Sequence, residues 1–106
     1  MENNNDNKYP PALMNARARS NFITIPQTTI NYKELHQAFT EYDQTKYIIT
    51  KVEQHEDEGR HIHIVVKFKQ QVKIKQIHNI IMKHSGNDTK IKGLINYQTP
   101  KKIIYF

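Results

Sequence analysis

The segment Arg60-His61-Ile62-His63-Ile64-Val65-Val66-Lys67-Phe68 constrains the fold more than any other stretch of the chain. Side chains alternate faces along a β-strand. Ile62, Ile64, Val66 and Phe68 therefore share one face, which must be the core face beneath helices. His61 and His63 then lie together on the opposite face, about two residue rises or ~6.6 Å apart along the strand. A strand with one covered and one open face belongs to a sheet layered on one side, not to a helical bundle.

The neighbouring elements agree. Asn21 to Ile25 is rich in β-formers and is expected to end at Pro26. Asn31 is placed to cap a helix over about 32–42, with Glu34 reaching back and Leu35, Ala38, Phe39 and Tyr42 as its apolar stripe. Tyr47 to His55 reads as a second strand, joined to the Arg60–Lys69 strand through Glu56-Asp57-Glu58-Gly59. Val72 to His84 reads as a second helix with Ile77, Ile80 and Ile81 inward, and Lys90 to Asn96 as a fourth strand. Thr99-Pro100 is a helix start. The order β-α-β-β-α-β-(α) predicts an α+β domain, a ferredoxin-like or RRM-like antiparallel sheet of about four or five strands with helices mainly on one face. Residues 1–12 are Asn-rich and end in Pro10-Pro11, so they are expected to be a disordered tail before a domain over 13–106.

The open face carries the chemistry. If the two central strands form a hairpin, Glu53 and His55 share the parity of His61 and His63. Glu53, His61 and His63 then offer one carboxylate oxygen and two imidazole nitrogens. That donor set suits Mg²⁺ or Mn²⁺ with positions left for water and phosphate, and would also accept Zn²⁺. A solvated pair of surface histidines is the simpler alternative. His55 is a weaker candidate ligand; His36, His78 and His84 are expected at surface or cap positions. Tyr9, Tyr32, Tyr42 and Tyr47 read as packing or tail residues.

Charge adds a partner class. The net charge is +6, but residues 1–66 hold seven Lys/Arg against nine Asp/Glu, while 67–106 hold nine Lys against Asp88 alone. A basic half in so small a chain points to a polyanion, most often nucleic acid, although a lysine-rich solvated surface would give the same count. There is no Cys, which excludes a disulfide scaffold and a thiolate zinc site. No run of about 18 apolar residues occurs. The N-terminal stretch has no apolar core of a secretory signal, so secretion is not expected.

These features together resemble the N-terminal HUH endonuclease domain of rolling-circle replication initiator (Rep) proteins of geminiviruses and related circular single-stranded DNA replicons. Phe22-Ile23-Thr24-Ile25-Pro26-Gln27 is similar to the first motif of that family, and Asn15-Ala16-Arg17 to the run before it. His61-Ile62-His63 stands for the second motif, with Glu53-Gln54-His55-Glu56-Asp57 at the family's eight-residue spacing from Glu53 to His61. The resemblance implies a metal site at Glu53, His61 and His63 for Mg²⁺ or Mn²⁺. It further implies DNA contacts from Arg17, Arg19, Phe22, Thr24, Pro26, Gln27, Lys67 and Lys69. The implied partner is single-stranded DNA at an origin stem-loop, with homo-oligomerisation left open for a full-length protein. The implied location is the host nucleus for a viral member or the cytoplasm for a plasmid-encoded one.

The third motif departs from the pattern. The family's nucleophilic Tyr stands in Tyr-x-x-Lys, which is absent here; Tyr97 has Pro100 where Lys belongs. Counting seven residues from Thr99, as the family's helix does from its Ser/Thr start, reaches Phe106. Either Phe stands where the family has the nucleophile, or the chain ends just before it. Tyr105 would point about 100° round the helix from that position. With a Tyr in place, the resemblance implies nicking and joining through a 5′-phosphotyrosine. The alternative is a single-stranded DNA-binding module of the same fold that does not cut.

Overall fold

The structure, a computed structural model, describes residues 9–55, 59–85 and 95–99. Helix α1 (Pro11–Asn15) leads into β1 (Arg17–Thr28), α2 (Tyr32–Glu41), β2 (Thr45–His55), β3 (Gly59–Lys73), α3 (Ile74–Lys83) and β4 (Asn96–Gln98). The four strands form one antiparallel sheet in the order β2-β3-β1-β4. Strand β3 thus lies between β1 and β2, which α2 connects, as the split βαβ arrangement requires. The expected α+β sheet with helices on one face is what the chain forms.

The alternation in β3 sets the layers. Ile62, Ile64, Val66 and Phe68 are each at most 1 % exposed. They join Ile23 and Ile25 of β1, Leu35 and Phe39 of α2, and Ile74, Ile77 and Ile81 of α3 in one core. Asn31 Oδ1 accepts from the backbone N–H groups of Lys33 and Glu34 and so caps α2. Among the described residues Glu34 makes no return bond, so the cap is one-sided. At α3 the return bond exists: the Lys73 N–H donates to Gln76 Oε1 at 3.4 Å.

Several boundaries differ from expectation, each for a backbone reason. Strand β1 starts at Arg17 and continues past Pro26 to Thr28. Proline has no N–H for the ladder, and the pairing with β3 slips between Ile25 and Thr28 to accommodate it. Strand β3 runs to Lys73, because Val72 and Lys73 pair with Ala18 and Arg17. Helix α3 therefore begins at Ile74 and not at Val72. Of the expected fourth strand, 90–94 lie outside the described residues, and the ladder with β1 covers Asn96 to Gln98. Residues 1–8 of the segment expected to be tail lie outside the described residues; in the rest of it, Pro11 opens α1 and the Tyr9 hydroxyl donates to Ile95 O at 2.9 Å.

Tyr9 is part of an aromatic cluster on the helix side of the sheet. Its ring meets His78 and Tyr97 edge-on at 5.2 and 5.7 Å. His78 Nδ1 and the Tyr97 hydroxyl are 2.7 Å apart. Burial raises the Tyr97 phenol far above its usual range, so it stays protonated and donates. Burial also holds the His78 imidazole below its ordinary range, which keeps Nδ1 available as acceptor. His78 is therefore a half-buried partner of β4, not the surface residue expected. His36 is likewise engaged, 2.7 Å from Thr50 Oγ1. Below about pH 6.5 the unfolded chain protonates His78 before the folded chain does, so this contribution is present above that pH and fades as pH falls. We expect the melting temperature to drop more steeply from about pH 7 to pH 5 in the wild type than in His78→Gln. Parallel melting curves in EDTA would remove His78 as the cause.

Candidate metal centre and nucleic-acid face

The face of the sheet away from the helices is assembled by register. Opposite β3, Lys51 pairs with His63 and Glu53 with His61. On the other side Thr24 pairs with His63 and Phe22 with Val65. Directly paired residues on antiparallel strands share a face, so Glu53, His61, His63, Lys51 and Thr24 all project from the open side. Glu53 stands opposite His61, yet its carboxylate reaches diagonally to His63: Oε1 lies 2.7 Å from Nε2. The rings of His61 and His63 are 6.4 Å apart. One ligand atom from each of Glu53, His61 and His63 falls within 4.8 Å of the others.

The Glu53–His63 pair is roughly 40 % exposed on both sides, 44 % and 35 %. Exposed pairs of this kind contribute about 0–1 kcal/mol, so stability does not explain the convergence. Coordination does. Ligands about 2.1 Å from a common cation stand up to ~4.2 Å apart, which small side-chain rotations reach from the present positions. One hard oxygen and two imidazole nitrogens match the donor set for a divalent cation. Thr24 Oγ1 lies 3.5 Å from His63 Nδ1 and so limits rotation of that ring. When Nδ1–H donates to Thr24, Nε2 presents its lone pair toward Glu53, where a cation would sit. The side chain of His55 lies outside the described ones, as does that of Gln27.

The remaining sequence candidates separate into groups. Phe22, Thr24 and Pro26 are half-buried on β1 beside the cluster. Arg19, Lys67 and Lys69 gather toward the other end of β3. Arg17 pairs with Lys73 still farther along and is not brought to the cluster. Tyr97 is 8 % exposed and shares the helix-side face with its partner Ile23, across the sheet from Glu53, His61 and His63. Tyr105 and Phe106 lie outside the described residues.

Sequence reasoning missed part of this face. Tyr47 and Ile49, expected to pack or left unremarked, are 42 % and 44 % exposed. They pair with Lys67 and Val65 and lie on the open side with Lys51. Counting back from Glu53 in steps of two gives Lys51, Ile49 and Tyr47, so the signal was parity.

The family described as the geminivirus Rep catalytic domain matches residues 14–101, most of the chain and the span that contains Glu53, His61 and His63. The chain belongs to that family. Rep catalytic domains initiate rolling-circle replication and are metal-dependent HUH endonucleases acting at a single-stranded DNA origin, and this Rep domain carries a His/Glu cluster on its open sheet face. No curated protein matches the Rep chain. Phe106 lies beyond the matched residues. Among the described residues of this Rep domain, no helix is long and apolar enough to cross a membrane.

Proposed function

We propose that this Rep domain binds the single-stranded part of an origin stem-loop and presents one phosphodiester to a divalent cation held by Glu53, His61 and His63. The observation that carries the reading is the convergence of those three ligand atoms within 4.8 Å on an open sheet face. Mg²⁺ or Mn²⁺ bound there would polarise the scissile phosphate and neutralise part of its charge. The protein's own contributions are positional. The sheet fixes Glu53, His61 and His63 on two paired strands, and Thr24 steadies His63. Phe22, Tyr47, Ile49 and Val65 supply an apolar surface on which splayed bases can stack. Lys51 and Lys67 add backbone contacts that carry affinity but not sequence.

In the cutting reaction a tyrosine at position 106 would form a bond from its phenolic oxygen to phosphorus. The bond from phosphorus to the 3′-oxygen breaks. The proton leaves the phenol and the departing oxygen gains one, giving a 5′-phosphotyrosine and a free 3′-hydroxyl. Attack by a 3′-hydroxyl reverses these steps and joins ends. Phe106 has no phenolic oxygen, which favours a second reading for the chain as it stands: a single-stranded DNA-binding module that recognises the origin without cutting.

The two readings separate in one assay. Phe106→Tyr is mixed with Mn²⁺ and its labelled origin stem-loop, and products are run under denaturing conditions. A covalent protein–DNA adduct, absent from Phe106→Tyr combined with His63→Ala, is the expected result. Tight binding with no adduct in any variant would replace the nicking reading with the binding module.

A further inference from the structure

Strand β3 is irregularly paired on both sides at one height. Toward β1 the register shifts between Ala18 and Ser20, which stand opposite Val72 and Lys67. Toward β2 it shifts between Thr45 and Tyr47, which stand opposite Phe68 and Lys67. Toward β2 the extra residue lies in β2 and is Lys46; toward β1 the extra residues lie in β3 itself, between Lys67 and Val72, and Arg19 stands opposite them. Irregularities of this kind bend a strand and re-aim a side chain. Here Arg19 and Lys46 join Lys67, Phe68 and Lys69 around a single hollow of about 380 Å³.

Four positive charges line that hollow and no acid does. Among the described residues none of the four side chains enters a hydrogen bond or an ion pair. Like charges gathered in a concave site repel unless an anion sits among them, and they raise the local concentration of one. The hollow opens beside the ladder position Ser20–Lys67–Tyr47, on the same face as Thr24–His63–Lys51. Four residues of β3 separate Lys67 from His63, about 13 Å. The apolar side chains of Phe22, Val65 and Ile49 occupy the ladder position between them.

We infer that the hollow is a second phosphate site, taking a backbone phosphodiester of the same DNA strand whose other phosphate lies at Glu53, His61 and His63. The inference rests on the Rep reading above and extends it by fixing where the strand runs. A distance of ~13 Å corresponds to roughly two to four nucleotides, depending on whether the bases stay stacked at ~3.4 Å or are drawn apart. The intervening bases then lie over Phe22, Val65 and Ile49. Lys46, which sequence alone did not single out, becomes a DNA contact because the β2 bulge turns it toward Lys67.

The test is anisotropy of fluorescein-labelled, randomised-sequence single strands of graded length, between about 50 and 200 mM salt. The whole chain is compared with Lys46→Gln, Lys69→Gln and, as a control on exposed α2, Lys33→Gln. Each hollow variant should lower the slope of log affinity against log salt by about 0.7 and weaken binding roughly two- to fivefold, with Lys33→Gln unchanged. The difference should vanish for strands too short to span both sites. Wild-type binding with unaltered slopes in Lys46→Gln and Lys69→Gln would overturn the second site alone. Resonance shifts at Lys46 and Lys69 with inorganic phosphate but no change in DNA slope would also overturn it, leaving a site for the free ion. Failure of the wild type to bind any strand would overturn the Rep reading and the second site with it.

Discussion

Phe68→Ala is expected to cost about 3–5 kcal/mol of folding free energy, the range for emptying a buried aromatic site. Phe68 is fully buried, and its ring meets Tyr42 edge-on at 6.1 Å and 78°. It stands on the inward face of β3, at the height where the pairing with both neighbouring strands becomes irregular. Native domains have only about 5–15 kcal/mol to lose, so the variant should sit near the edge of unfolding. Urea denaturation of wild type and variant measures the difference. Tyr47→Ala, at the same end of the sheet, should cost much less, about 1 kcal/mol, because that side chain is 42 % exposed. A loss below about 1 kcal/mol for Phe68→Ala would show that the core is not centred on the inward face of β3.

Glu53→Ala is expected to lower Mn²⁺ affinity by at least about tenfold while leaving the melting temperature of the metal-free protein within a few degrees. The two halves of this expectation come from different physics. The carboxylate is the single oxygen donor and the single negative charge of the cluster, so a hard cation loses most by its removal. The Glu53–His63 pair is half in water, so its removal costs the fold little. Isothermal titration with Mn²⁺ and a thermal melt in EDTA give the two numbers. Glu53→Gln should behave as Glu53→Ala in the titration, since a neutral amide replaces the charge without changing the shape. Equal Mn²⁺ affinity in all three proteins would place the ion elsewhere.

The grouping of Glu53, His61 and His63 was legible because strand parity and one spacing determine it. Ile62, Ile64, Val66 and Phe68 identify the buried face, which places His61 and His63 on the other. The short connection after His55 then brings Glu53 opposite His61. The sheet order followed from the sequence of elements for a similar reason, since β1, α2 and β2 can enclose β3 in few ways. The rest was hidden by irregularity and by long-range partners. A register shift leaves composition unchanged, so nothing in Gln44-Thr45-Lys46-Tyr47 or Ala18-Arg19-Ser20 marks Lys46 and Arg19 as neighbours of Lys67. Pro26 looks like a strand end, but here the ladder slips around it. His78 and Tyr97 lie nineteen residues apart and meet only because β4 pairs with β1. Tyr9 joins them from farther still, through a bond to Ile95 eighty-six residues away.

The claim on which the account depends is that a divalent cation binds at Glu53, His61 and His63. Substoichiometric Mn²⁺ added to isotope-labelled protein tests it most directly, because the ion broadens nearby NMR signals steeply with distance. The account predicts selective loss of the signals of Glu53, His61 and His63, followed by Thr24 and Lys51, with the helix-side residues His78 and Tyr97 unaffected at the same addition. Broadening centred on any other acidic or histidine residue, with the His61 and His63 signals intact, would contradict it.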